Sequence, residues 1–181
     1  DEKINTRKGK KFALTIGIKL AKYENLLLID ADCKPNSKKW VEEIVNCFKN
    51  NNVILGYGCY KKTKTILNRF IRYDTYLIAK QYFSFCLFGY PYMGVGRNLA
   101  YTKNVFFENK GFANHMHIAS GDDDLFIQEV AVNNNVGIVV NENTHTISQS
   151  HEKWGNWIYQ KRRHLTTSRY YDSKFKILLA I

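Results

Sequence analysis

Proline is nearly absent from this chain, with two in 181 residues, and no internal repeat or low-complexity tract appears. A repeat array is therefore excluded, and nothing in the composition marks a disordered protein: 45% of residues are hydrophobic and 14% aromatic, values that fit one ordinary globular domain with a real core. Cysteine is sparse and irregular. Cys33, Cys47, Cys59 and Cys86 form no CxxC pair, which argues against a disulfide framework or a zinc site and for reduced thiols in a cytosolic setting. The opening DEKINTRKGKK is charged, unlike a secretory leader, and no apolar run approaches the roughly 20 residues that span a bilayer. Acidic residues are also in deficit, 16 against 27 Lys and Arg, for a net charge of +11. That excess favours anionic partners, namely nucleic acid, phosphorylated small molecules or acidic lipid, and says nothing about fold.

What is present is an alternation of helix and strand signals. KKFALTIGIKLAKY has helical spacing, with Leu14, Gly17, Ile18 and Ala21 on one face. NLLLID follows as a short apolar strand, fully buried if its sheet is parallel. NSKKWVEEIVNCF predicts a helix capped by Asn36 or Ser37, with Val41, Ile44, Val45 and Phe48 as its buried stripe. NVILGYGCY reads as a strand, TILNRFIRYDTYLIAKQYF as a helix, RNLAYTK as a strand, DDDLFIQEVAVNN as a helix, VGIVVNE as a strand and WGNWIYQKRRHL as a helix. The order predicts an α/β fold with a parallel sheet. Two segments invite a membrane reading: the aromatic, almost uncharged Tyr82 to Tyr92, equally readable as core or cleft wall, and KFKILLAI, residues 174–181, which fits the start of a membrane-associated or transmembrane segment.

Three clusters carry chemistry. In LLLIDADCKP, Asp30 and Asp32 follow a buried strand, where α/β sheets bind their ligands. Strand alternation would turn both carboxylates to one side, and two hard oxygen donors suit Mg²⁺ or Mn²⁺ shared with phosphate oxygens. An isolated DxD is equally a pair of turn-forming aspartates. In SGDDDLF, Asp122, Asp123 and Asp124 meet at a predicted helix start; one would satisfy the helix dipole, and three repel one another, which points to proton abstraction or cation binding. In QKRRH, the helical face of Gln160, Arg163 and His164 could grip a diphosphate or simply be a solvated basic surface. Trp154 and Trp157 upstream read as core, and His115 and His117 as loop residues. A metal-dependent nuclease or phosphotransferase would use similar carboxylates, and a basic nucleic-acid-binding module would explain the charge but not DAD or GDDD.

Taken in order, these pieces resemble the family-2 glycosyltransferases, inverting enzymes of the GT-A fold. RKGKKFALTIGIKLAKYENLLLIDADCKPNSKKWVEEIV resembles the family's run from its Gly-Lys loop through the DxD, GVGRNLAYTKNVFFENKGF its Gly-rich strand and Gly-Phe turn, GDDDLF its E-D-x-D-L, and QKRRH its Q-x-x-R-W. The resemblance implies a GT-A-like, Rossmann-like mixed and mostly parallel sheet flanked by helices, with residues 1–173 as a partial catalytic domain that lacks the family's first βαβ unit. It implies a nucleotide-sugar donor, a saccharide or lipid-linked acceptor, and a site at the cytoplasmic face of the membrane rather than on nucleic acid. Asp122 would be the catalytic base. Asp30, Lys10, Gln160 and Arg163 would contact nucleotide and diphosphate, Asp32 with Asp30 would hold Mn²⁺ or Mg²⁺, and Asp123, Asp124 and His164 would lie toward the acceptor. His164 stands where the family has its closing Trp, which favours single-sugar transfer over processive synthesis.

Overall fold

The computed structural model of the chain describes residues 9–118, 120–131 and 135–179. The first helix, α1 (Lys10–Leu20), leads into strand β1 (Asn25–Leu28), a two-residue strand β2 (Lys34–Pro35) and helix α2 (Trp40–Cys47). The predicted strand NVILGYGCY divides into β3 (Val53–Gly56) and β4 (Gly58–Tyr60), which enter different sheets. A long helix α3 (Ile66–Leu87) precedes β5 (Leu99–Thr102), α4 (Lys103–Glu108), α5 (Asp124–Val130), β6 (Val136–Val139), β7 (Thr146–Ser148), α6 (Trp154–Thr167) and α7 (Ser173–Leu179). The tail of the predicted helix at DDDLFIQEVAVNN reaches residues 132–134, which lie outside the described residues.

The fold is α/β, and its sheets are mixed rather than mostly parallel. The main sheet has the order β1-β5-β3-β6, and only β3 and β6 pair in parallel. β1 and β3 do run the same way, but β5 inserts antiparallel between them. A second sheet, β2-β7-β4, has one antiparallel and one parallel pair. Because β1 pairs only with β5, Leu26, Leu27 and Leu28 are half-buried, not fully buried as a central parallel strand would be.

Alternation along the strands distributes the core onto two faces. Val53, Leu55, Leu99 and Tyr101 point toward the larger cluster, where they meet Ile18 of α1, Ala79, Tyr82 and Cys86 of α3, Phe106 of α4, and Leu125, Phe126 and Ile127 of α5. Ile54, Ala100 and Val139 point the other way and are covered by Trp40 and Ile44 of α2. Helix α2 is therefore rotated from the expected phase: Val41 and Val45 are exposed, and the buried stripe starts at Trp40. No side chain caps α2; the Ser37 hydroxyl instead accepts a hydrogen bond from the Lys39 N–H. Trp40 donates its indole N–H to Asn98 Oδ1 at 3.3 Å, while Asn98 Nδ2 donates to the carbonyls of Tyr57 and Thr144 at 3.0 and 2.7 Å. This buried amide joins α2, the main sheet and the second sheet.

The aromatic stretch Tyr82 to Tyr92 splits by position. Tyr82 and Tyr92 are core residues, and the Tyr82 hydroxyl donates to the Gly56 carbonyl at 2.8 Å. Only the helix tip at Leu87, Phe88 and Tyr90 is exposed. In α7, Phe175 is buried against Tyr92 while Ile177 and Leu178 face outward; residues 180–181 lie outside the described residues. Among the described residues no helix is long and apolar enough to cross a membrane. All four cysteines are free thiols.

Candidate active site

A cleft of about 590 Å³ opens between the second sheet, α3, α6 and the segment that leads into α5. Its walls include Lys10, Asp30, Asp32, Asp122, Asp123, Asp124, Gln160, Arg163 and His164. These come from segments far apart in sequence, and the fold brings every one of them to the same cavity.

Asp30 and Asp32 share the cleft through a turn, not through strand alternation. β1 ends at Leu28, and the Cys33 N–H donates to the Asp30 carbonyl at 2.9 Å, so residues 30–33 form a turn that presents both carboxylates and leaves Ala31 out of the cleft wall. Asp30 Oδ1 accepts from the Lys10 ammonium at 2.8 Å, and Asp122 Oδ2 lies at the same distance from that ammonium. Burial alone would lower the Lys10 pKa, but the carboxylates of Asp122 and Asp30 outweigh it and hold the ammonium above its ordinary range. Two of its three N–H groups are thus engaged. Gly96 sits against this triad: a Cβ there would lie 2.9 Å from Lys10 Nζ and 3.4 Å from Asp30 Oδ1.

The three aspartates have separate surroundings. Gly121 has φ +90°, and a Cβ on it would meet Leu125 at 2.6 Å, so glycine is what lets the chain turn into α5 here. Asp122 precedes the helix and faces Lys10. Asp123 is the N-cap; its Oδ1 accepts from the Asp124 N–H and its Oδ2 from the Gly96 N–H, each at 2.9 Å. Asp124 is buried, accepting the Leu125 N–H at 2.9 Å and the Tyr171 hydroxyl at 2.8 Å.

Burial first, then the neighbouring carboxylates of Asp124 and Asp122, pushes Asp123 up to about 7. Asp124 is likewise raised by burial, with the Tyr171 hydrogen bond acting against it. A carboxyl raised in this way binds its proton more tightly when folded than when unfolded, where its pKa is near 4. The folded state then holds more protons between about pH 4 and about pH 7, and the stability this pair contributes falls as pH rises across that window. Urea midpoints at about pH 5 and about pH 8 should therefore drop further in the wild type than in Asp123→Asn; equal drops in the two proteins would refute the assignment.

On the far wall, α6 presents Gln160, Arg163 and His164 to the cleft as the helical spacing predicts. His164 keeps access to solvent, yet partial burial and the cations Arg163, Lys161 and Arg97 push it down to about 4. Trp154 and Trp157 are not core residues: Trp154 is 47% exposed, and both pack on Phe70 of α3 with ring centroids 5.5 and 5.2 Å away. Lys161 pairs with Asp74 of α3 and lies 5.8 Å from the Trp157 ring centroid. At the other end of α6, the Ser120 and Thr167 hydroxyls are hydrogen-bonded at 2.5 Å, so the helix is tethered next to the acidic motif.

Sequence reasoning passed over Lys11, Arg97 and Tyr171. Lys11 is buried, and its ammonium donates to the carbonyls of His115 and Ile118 at 2.6 and 3.2 Å, which ties α1 to the loop ahead of the aspartates. Burial pushes it down to about 8 against the pull of Asp122, Asp124, Asp123 and Glu129. A lysine on the helical face of Leu14 and Ile18 was the available signal. His115 is buried rather than a loose loop residue, with Nδ1 3.2 Å from Glu129. Among the described residues no group of three or more His, Cys, Asp or Glu side chains converges as a metal cage. No protein-family model matches the chain, and no curated protein matches it at a significant level.

Proposed function

We propose that this chain is the GT-A-like catalytic part of an inverting glycosyltransferase that moves a sugar from a nucleotide-diphosphate donor to a saccharide or lipid-linked hydroxyl. The supporting observation is the single cleft that gathers Asp30, Asp32, the three consecutive aspartates and the Gln160–Arg163–His164 face. Its volume suits a ligand of nucleotide-sugar size, and both cations and carboxylates line it, as a diphosphate and a sugar hydroxyl require.

Asp122 takes the acceptor proton. As that proton leaves, the acceptor oxygen forms a bond to the anomeric carbon while the bond from that carbon to the diphosphate oxygen breaks, and a single in-line displacement inverts the configuration. The Lys10 ammonium steadies Asp122 and Asp30 and keeps one N–H for a phosphate oxygen. Gln160 and Arg163 receive the departing diphosphate, and Asp123 and Asp124 shape the acceptor side through the Gly96 and Tyr171 bonds. Asp30 is engaged by Lys10, whereas Asp32 has, among the described residues, only the weak Cys33 thiol contact at 3.6 Å, which leaves it the carboxylate available for Mn²⁺ or Mg²⁺. One or two carboxylates completed by substrate phosphates is an ordinary Mg²⁺ arrangement, so the residues fit such an ion without an all-protein cage. The ion would supply charge neutralisation at the diphosphate.

Calorimetric titration of UDP with and without Mn²⁺ tests this. Metal-dependent binding that weakens by about tenfold or more in Asp32→Asn is expected; identical Mn²⁺ dependence in that variant would contradict the metal assignment.

Membrane association is part of the same reading, and the outer face of α3 is its best support. Ile66, Phe70, Tyr73 and Leu77 recur at helical spacing and are all exposed, next to exposed Lys61, Lys62, Lys64 and Arg69. Apolar rings bordered by cations match an anionic bilayer surface. Tyr73→Asp, which leaves the Phe70 packing on α6 intact, should reduce co-flotation with phosphatidylglycerol vesicles, and unchanged flotation would remove α3 from the contact.

A further inference from the structure

Arg97 is the cleft's least committed cation, and it is half-buried. Its neighbours in the chain are firmly held: the Gly96 N–H donates to Asp123, the Asn98 N–H donates to the Val95 carbonyl at 2.9 Å, and the Thr146 hydroxyl donates to the carbonyl of Arg97 itself at 2.8 Å. The guanidinium carbon lies 4.5 Å from the Tyr60 ring centroid, a cation–π contact that helps to hold the side chain in place. Space for the side chain exists because residue 58 is glycine; a Cβ there would lie 2.8 Å from Arg97 Cβ and 3.3 Å from its Nε.

Against this rigid support, Nη1 is buried without a hydrogen-bond partner, and among the described residues Arg97 has no ion-pair partner. The other cleft lysines are already paired with carboxylates, Lys10 with Asp30 and Asp122, which leaves it one N–H, and Lys161 with Asp74. A buried guanidinium N–H with no acceptor is costly unless a ligand supplies the oxygen. Asp32 and Arg97 line the same cleft, so an anion held there by an Asp32-bound cation would share the cavity with Arg97.

We infer that Arg97 is a diphosphate-binding residue, presenting its planar fork to phosphate oxygens in the cleft that it shares with Gln160 and Arg163. The inference rests on the transferase reading for the identity of the diphosphate, a nucleoside diphosphate. The anion site itself does not need that reading. Arginine suits this position because two parallel N–H donors match two phosphate oxygens.

The test is calorimetry of the chain with Mn²⁺ and inorganic pyrophosphate. Arg97→Ala should bind about tenfold or more weakly than wild type. Arg97→Lys should recover part of that loss, because charge returns without the fork, and Arg162→Ala on the exposed side of α6 should bind like wild type. Arg97→Gln, with its thermal melt, guards against simple misfolding: a folded Gln variant with the same loss supports the assignment. Undiminished pyrophosphate binding in folded Arg97→Gln, or no binding by wild type, overturns it. A panel of nucleotide sugars separates the two ideas. Arg97-dependent pyrophosphate binding without any donor turnover leaves the anion site standing and sinks the transferase reading, and donor turnover indifferent to Arg97 does the reverse.

Discussion

Asp122→Asn should lower sugar transfer by about 10²–10⁴-fold, the range that a positioned general base supplies, with donor affinity nearly unchanged. Asn preserves the shape of the side chain and can still accept from Lys10 through its amide oxygen, so the Lys10–Asp30 contact at 2.8 Å has no reason to break. What it loses is the ability to take a proton from the acceptor. The loss should appear in kcat at saturating acceptor rather than in donor binding, because the interaction is made only as the acceptor oxygen attacks. Asp124→Asn provides the contrast. That carboxylate is buried and accepts from Tyr171 and the Leu125 N–H, so its removal should show first as lost stability. Transfer at the wild-type rate in Asp122→Asn would end the base assignment, and a kcat loss confined to Asp124→Asn would move the base to that residue.

Phe126→Ala is expected to destabilise the fold by about 3–5 kcal/mol, the usual cost of truncating a fully buried phenylalanine. Phe126 has no exposed surface. Its ring lies 4.8 Å from that of Tyr101 on β5, 5.8 Å from Phe106 on α4 and 5.5 Å from Phe112 in the following turn. One side chain thus joins the main sheet to the helix that carries Asp124. A loss of that size is a large fraction of a domain's total stability, so the urea midpoint should fall steeply, with Phe126→Leu falling much less. A midpoint within a few tenths molar of wild type would show that the aromatic cluster can close over the gap. Because α5 holds the aspartates in place, the surviving folded fraction should also bind Mn²⁺ and UDP less well.

Element types read well from sequence where periodicity was strong and less well where three-dimensional context decided. The α1, α3, α5 and α6 patterns each produced a helix, and NLLL, VILG, LAYT and VGIV each produced a strand. Pairing direction was not readable: nothing in RNLAYTK says that it inserts antiparallel between β1 and β3, because the choice depends on where α3 returns the chain. Phase failed in α2, where Trp40 took the core position that Val41 and Val45 were expected to share; one indole reaching Asn98 outweighed two valines. The short strands β2 and β7 carry no pattern long enough to detect. At the site, Asp30, Asp32, Asp122, Asp123, Asp124, Gln160, Arg163 and His164 all line one cleft. Lys11 and Arg97 were missed for a common reason. Basic side chains in a chain of net charge +11 look like solvated surface until a structure reveals which of them are enclosed.

The insertion of β5 between β1 and β3 also sets a timetable for folding. As the chain is made from its N-terminus, β1 and β3 are both complete while the strand that must separate them does not yet exist; β4 and the whole of α3 come first. Until Leu99–Thr102 arrives, Leu26–Leu28 and Val53–Leu55 have backbone groups with no ladder to join, and the nascent chain carries an unfinished sheet. Contacts this distant in sequence carry a loop-closure cost before they return any stability, which makes for slow folding and a stage exposed to aggregation. The main sheet therefore closes late, and its last strand, β6, follows later still. An expression host that slows synthesis across the α3 codons would prolong that vulnerable interval.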